Sequence, residues 1–395
     1  MRSSTNGGGF TPTPDPPPSR GREVSRRGVL ALAAAGAVVG AAPALAESPS
    51  LNSLARAKGM RFGGAVGAGR PGHENGSYAD PRYWSLLAGQ CGLIVPENEL
   101  KWYTVHPAPG VYAFERGDAM QAKAQAAGLD MRGHNLLWNR PQYLTAWVNA
   151  YDFGSRPATA AEKLLIEHIE TVCAHYPHIR SWDVVNETID EDTGAMRETV
   201  FTRYLGPEVI DIAFHAARRA APQAQLVYND YMSWEAGSAK HREGVLRLLE
   251  RLKAAKVPVD ALGLQSHIKP TGPEVGALAK AQASEWRRFL DGATDMGYGL
   301  LVTEFDVADK NLPGDIAVRD RAVADYARGY LDLTLSYRQV SDVLGWGLVD
   351  SYSWLQNETP RGDGLPERPT PYDADFRAKP LREAVAAALA GAPAR

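Results

Sequence analysis

Short apolar runs rich in β-branched residues recur along the chain, and each is followed by a segment whose apolar residues fall three and four positions apart. The runs lie near Arg61–Val66, Gly92–Pro96, Asp130–Leu136, Ile179–Val185, Gln225–Asn229, Ala261–Ser266, Gly299–Thr303 and Val343–Leu348. Continuous apolar character of this kind belongs to strands buried on both faces, as in a parallel sheet. The helical period covers Leu51–Lys58, Pro81–Ala88, Ala119–Ala127, Ala160–Tyr176, Pro207–Ala220, Ser238–Ala255, Val275–Met296, Ile316–Leu335 and Ala384–Ala390. Pro207 early in its helix and Pro222 past its end sit where proline is tolerated, and Gly128 and Gly297 suit helix C-terminal caps. Strand and helix alternating over roughly 330 residues predict the α/β class and a single (β/α)8 TIM barrel, a fold of ~200 to over 400 residues.

The first 46 residues stand outside this pattern. Arg2 to about Arg22 is rich in Ser, Gly, Thr and Pro, a composition that reads as disordered. Ser25-Arg26-Arg27-Gly28 then precedes an Ala/Val/Gly run and Ala44-Leu45-Ala46, the layout of a twin-arginine export signal cut after Ala46. An uncleaved anchor would need a longer apolar run than Val29–Val39. The expectation is a leader over 1–46, a catalytic domain over 47–395 and a periplasmic or secreted product.

Composition narrows the partners. The 395 residues carry a net charge of -3 with 23% charged residues, which suits a soluble domain with a large core. Absence of a basic block interleaved with aromatics argues against nucleic acid, and a monomer with no membrane contact after processing is expected. Nine Trp and sixteen Tyr leave aromatic faces available for sugar rings. The two cysteines, Cys91 and Cys173, fall in apolar settings and read as buried free thiols. No Cys/His cluster has ligand spacing, so neither metal nor other cofactor is expected.

Two of the runs end in carboxylates. Trp182-Asp183-Val184-Val185-Asn186-Glu187 delivers Glu187 where a strand leaves the sheet, and Leu300-Leu301-Val302-Thr303-Glu304-Phe305-Asp306 delivers Glu304. Barrel enzymes build their sites at these strand ends, and a pair of carboxyl groups is what cleavage of a glycosidic bond requires. One must hold a proton while the other is ionised.

WDVVNE together with TEFD resembles the acid/base and nucleophile signatures of glycoside hydrolase family 10, the retaining endo-β-1,4-xylanases. The resemblance covers about Leu54 to Ala390 and implies Glu187 as acid/base and Glu304 as nucleophile, acting on xylan or xylo-oligosaccharides. Glu97-Asn98-Glu99-Leu100-Lys101 is similar to the family's ENEMK, which implies Glu97, Asn98 and Lys101 as glycone-side ligands. Arg132-Gly133-His134-Asn135-Leu136-Leu137-Trp138 resembles RGHTLVWH, implying His134 at the cleavage point and Trp138 in the pocket wall. By the same resemblance Asn186 bonds the sugar 2-hydroxyl, Gln265 meets the acid or the substrate, His267 bonds Glu304 and Asp306 orients His267. Trp346 is implied as a platform beneath the sugar and Trp354 as a lid, with the glycines beside Trp346 allowing close backbone approach. Tyr228-Asn229-Asp230-Tyr231 resembles the family's YNDY and reads as rim hydrogen bonding rather than chemistry.

One segment departs from the family. Where a second histidine and, two residues on, a glutamine are common, this chain has Asn139-Arg140-Pro141-Gln142. Gln142 is the candidate to substitute from a shifted loop, and the expected effect is on glycone-side affinity without touching either carboxylate. Two other readings stay open on sequence: a barrel that only binds polysaccharide, and a retaining glycosidase of another β-linked glycan.

Overall fold

A computed structural model describes residues 48–69 and 76–395. The leader expected over 1–46, with its expected twin-arginine signal, lies outside the described residues. Ten strands, all pairing in parallel, build the sheet: β1 (Arg61–Val66), β2 (Leu93–Pro96), β3 (Asp130–Met131), β4 (Gly133–Trp138), β5 (Ser181–Asn186), β6 (Gln225–Asp230), β7 (Ala261–Leu264), β8 (His267–Ile268), β9 (Gly299–Val307) and β10 (Val340–Gly345). They form eight staves, because β3 and β4 are one stave interrupted at Arg132 and β7 and β8 are one interrupted at Gln265-Ser266. The order β3-β2-β1-β10-β9-β7-β6-β5-β4 brings the sheet round to its own third stave. There the Arg132 N–H still donates to the Ile94 carbonyl, 2.9 Å, while Gly133 already pairs with Trp182 on β5.

The (β/α)8 barrel is therefore present, with boundary corrections that have local causes. The eighth strand runs Val340–Gly345 rather than Val343–Leu348, because Gly347 takes φ +92° and turns the chain out of the sheet. The helix expected from Ala119 begins at Glu115, its early turns concealed by polar residues; only Gly117, Met120 and Ala124 of it are buried. The last helix starts at Pro380 instead of Ala384 and buries Leu381 and Arg382 in its first turn. Short helices at Trp102–Val105, Ala146–Asn149, Val200–Leu205 and Leu355–Glu358 have too few turns to show a period and were not read from sequence. Gly128 and Gly297 do follow their helices in the left-handed region, at φ +72° and +86°.

Helices cover the outer faces of the strands and make the main core. Along β9, Phe305 packs outward beside Tyr330 while Glu304 and Asp306 face the barrel mouth, the period-2 alternation of a strand. Cys91 and Cys173 are buried and unpaired. Among the described residues no helix is long and apolar enough to cross a membrane.

Candidate active site

At the C-terminal ends of the strands lies a cleft of about 720 Å³. Glu97, Asn98, Lys101, His134, Trp138, Asn186, Glu187, Gln265, His267, Glu304, Asp306, Trp346 and Trp354 all line it, so residues named from six strand ends in the sequence share one wall system.

Glu187 is placed by backbone conformation. It adopts φ +55°, a left-handed geometry that costs a non-glycine residue ~1–3 kcal/mol, and this breaks the strand alternation after β5. Asn186 and Glu187, although consecutive, thus both reach the cleft. Glu187 Oε1 accepts from Gln265 Nε2 at 2.9 Å and Asn186 Nδ2 at 3.2 Å, and Oε2 accepts from Arg140 Nη1 at 2.8 Å.

Glu304 is held differently. Its Oε1 accepts from Asn229 Nδ2 at 2.7 Å, and its Oε2 lies 3.3 Å from His267 Nε2. The other His267 nitrogen meets Asp306 Oδ1 at 2.9 Å, and Asp306 Oδ2 accepts from the Trp354 indole at 2.8 Å. Burial acts to raise the Glu304 pKa, but the nearby His134 and the His267 contact outweigh it and the carboxyl sits below its ordinary value. His267 moves oppositely: burial would lower it, yet Asp306 and Glu304 push it up to about 10. An imidazolium between two carboxylates is the consistent state, donating through both nitrogens.

An amide relay joins the two glutamates. Asn229 Nδ2, fixed in orientation by the Glu304 carboxylate, also donates to Asn186 Oδ1 at 2.9 Å, and Asn186 turns its own Nδ2 to Glu187. The Thr303 hydroxyl bonds Asn229 Oδ1 at 2.7 Å. Asn229 therefore touches a carboxylate directly and is fully buried, which corrects the rim role read from YNDY. The signal was in the sequence, a polar residue ending an apolar strand, but its partner Glu304 lies 75 positions away.

Beneath the floor a buried ion pair fixes His134. Arg132 binds both oxygens of Asp183, and Asp183 Oδ2 meets His134 Nδ1 at 2.9 Å. Burial would raise the Asp183 pKa, but Arg132 and His134 hold it below the usual carboxylate range. Neither Arg132 nor Asp183 was singled out in the sequence as a support.

On the β2 side the Lys101 ammonium stands over the Trp138 ring at 4.3 Å and nearer that ring than Trp346, at 5.9 Å. Burial lowers its pKa against the opposing pull of Glu304 and Glu187. Glu97 is pushed up to about 7 by burial and by Glu99, with Lys101 opposing. Asn98 Oδ1 accepts from the Tyr103 hydroxyl at 2.6 Å.

The departing segment does touch one of the paired carboxylates, contrary to expectation, through Arg140 on Glu187. Asn139 is buried with its amide on Thr188 and Thr199, pointing its polar atoms away from the cleft. Gln142 is exposed and absent from the cleft wall, so it does not substitute for the family's glutamine. Of the two glycines beside Trp346, Gly345 does meet a close approach, a Cβ there coming 3.1 Å from the Gly347 carbonyl oxygen, whereas a Cβ on Gly347 would meet open space and that glycine serves a positive φ. Among the described residues no group of three or more His, Cys, Asp or Glu could hold a metal ion.

Comparison with known proteins agrees in extent with the barrel. A model described as "Glycosyl hydrolase family 10" matches residues 50–388. "Endo-1,4-beta-xylanase A" of Phanerodontia chrysosporium is 32% identical over 344 residues, covering 86% of this chain and 77% of that protein. "Endo-1,4-beta-xylanase 5" of Pyricularia oryzae is 34% identical over 358 residues, covering 87% and 79%. Among solved structures, native xylanase 10B from Thermotoga maritima superposes with a TM-score of 0.75 at 28% identity, over 86% of this chain and 98% of that one. Xylanase 10B from Thermotoga petrophila in complex with xylobiose gives 0.74 at 27% identity, over 87% and 98%.

Proposed function

The chain belongs to glycosyl hydrolase family 10, and from that premise we propose that it is an endo-1,4-β-xylanase cleaving internal bonds of xylan by double displacement with retention. The observation that carries the reading is the pair of buried carboxyl groups joined across the cleft by one amide relay. Glu304 faces an imidazolium and a buried amide, which favour an anion ready to attack the anomeric carbon. Glu187, on the opposite side of the amide relay, is the group left to protonate the glycosidic oxygen.

In the first half-reaction Glu304 forms a bond to the anomeric carbon while the glycosidic C–O bond breaks and the leaving oxygen takes the Glu187 proton. In the second, Glu187 removes a proton from water, the water oxygen bonds the same carbon, and Glu304 departs as carboxylate. Asn186 bonds the sugar 2-hydroxyl, a contact that strengthens as the anomeric centre becomes positive. Glu97, Asn98, Lys101 and His134 bind the remaining hydroxyls on the glycone side. Trp138, Trp346 and Trp354 supply apolar faces, and Gln265, His267 and Asp306 hold the carboxylates. The proposal extends to the leader: a twin-arginine signal cut after Ala46 delivers the mature enzyme to the periplasm or the medium.

Proton NMR of early products from xylo-oligosaccharides, with a panel of other β-glycans beside them, tests the reading. The expected result is β-anomeric product from xylan-type substrates alone. An α-anomeric product would exclude double displacement, and preferential cleavage of another glycan would exclude the substrate.

A further inference from the structure

Glu187 has two oxygens with different surroundings, and the difference decides where a transferable proton can sit. Oε1 faces two amide N–H groups, from Gln265 and Asn186. The orientation of those amides is not free, since the relay from the Glu304 carboxylate through Asn229 forces Asn186 to present its oxygen to Asn229 and its nitrogen to Glu187. A proton on Oε1 would point at N–H hydrogens. It belongs on Oε2, the oxygen that accepts from Arg140 Nη1 at 2.8 Å.

Arg140 is itself immobilised. Its guanidinium lies 5.4 Å from the Tyr143 ring centre and 5.5 Å from that of Tyr231, and Tyr143 stacks on Trp138 at 3.6 Å. With its amide oxygen turned to the guanidinium, the orientation that satisfies both groups, Gln142 accepts from Nε and Nη2 at 3.1 Å each. The following Pro141 restricts the Arg140 backbone to extended conformations. Arg140 and Glu187 side chains are 19% and 8% exposed, so water competes little for their contact.

We propose that Arg140 is a positioning residue for the acid/base: by holding Oε2 while Gln265 and Asn186 hold Oε1, it locks the carboxyl plane of Glu187 and assigns the catalytic proton to the one lone pair of Oε2 left facing the cleft. A terminal carboxyl torsion is otherwise broad and two-fold, so without the clamp the two oxygens exchange and the proton spends much of its time misdirected. The inference rests on Glu187 being the acid/base, and it gives a task to the segment where the chain departs from its family.

The test is a series of aryl β-xylobiosides of graded leaving-group acidity, with xylan as the poorest leaving group, assayed on wild type, Arg140→Ala, Arg140→Lys and Gln142→Ala. General acid help amounts to ~10²–10⁴-fold, and misplacement forfeits a part of it. Arg140→Ala is expected to lose ~10–100-fold in kcat on xylan and less than ~3-fold on a dinitrophenyl substrate, steepening the leaving-group dependence. Arg140→Lys regains only a fraction, because an ammonium cannot bind Gln142 and Glu187 as a fork. Gln142 is exposed, so Gln142→Ala tests the idea in a protein that folds normally; it should shift the slope in the same direction by ~3–10-fold. A loss equal across all leaving groups would make Arg140 a substrate-binding or structural residue and overturn the proposal, as would an unchanged slope in both variants. A wild type inactive on every β-xyloside would instead remove the functional premise, and the proposal with it.

Discussion

Gly263 offers a way to disturb the proposed nucleophile, Glu304, without substituting any residue of the cleft. It lies on β7 directly across from Asn229 on β6, and a Cβ built there would come 2.3 Å from Asn229 Oδ1 and 3.1 Å from Thr303 Cγ2. The obstructing atom cannot swing aside, since Asn229 is fully buried and its amide is bonded to Thr303, Asn186 and Glu304 at once. In Gly263→Ala the amide must retreat by about 1 Å to restore van der Waals distance, which stretches the 2.7 Å bond to Glu304 beyond hydrogen-bonding range. A hydrogen bond to a charged group is worth ~1.5–3 kcal/mol, so kcat/KM should fall ~10–150-fold. The assay is steady-state hydrolysis of an aryl β-xylobioside beside thermal unfolding, with Thr303→Val as a milder probe that frees Asn229 Oδ1 without a clash. Wild-type kinetics in Gly263→Ala, or a change confined to KM, would refute the argument that Asn229 holds the nucleophile.

Other outcomes follow from the same structure. In Glu187→Ala a xyloside with a good aryl leaving group should still glycosylate Glu304 and give a burst, with slow turnover rescued by azide as a β-linked product; an α-linked product would mean the two glutamates have exchanged roles. His106, 2% exposed and 3.2 Å from His168, is lowered by burial to about 4 from 6.5. Its neutral form is native while the unfolded form takes up a proton near pH 6.5, so stability is complete above that pH and lost as pH falls toward 4. His168 is lowered in the same direction, by burial and by His106, so urea unfolding of His106→Gln should show a flatter pH profile than wild type between pH 6.5 and 4; parallel profiles would assign the acid sensitivity elsewhere. Replacing Arg26 and Arg27 by lysine should leave the protein in the cytoplasm by fractionation, and normal export of that variant would remove the twin-arginine assignment.

The barrel was legible because parallel staves covered by helices must be apolar on both faces, and the run Trp182–Val185 or Leu300–Thr303 has no other reading as clear. The cleft residues were legible because their motifs end those runs. What sequence could not carry was adjacency. Asp183 supports His134 across 49 positions, and Asn229 meets Glu304 across 75, so each looked like an ordinary polar residue of its own strand. Arg140 carried no signal of its own for a related reason: the segment stands out by its missing histidine and glutamine, whereas the guanidinium between two tyrosine rings makes the new contact. The end of β10 was misplaced because Trp346-Gly347-Leu348 is apolar enough for a strand and only the positive φ of Gly347 shows that it is not one.

The ring is closed by β1 against β10, where Arg61 bonds Asp342 across 281 positions of chain. In chain order both carboxylates precede this last stave, so a chain ending before Val340 carries them on a sheet that cannot close. Until Val340–Gly345 follows, β1 and β9 each carry a bare parallel edge, the kind of surface that pairs with other chains. A fragment ending before Val340 would hold both glutamates and yet expose two strand edges to association with other chains. Both glutamates thus lie ahead of Val340, whereas the two edges beside them are covered only by the stave that follows.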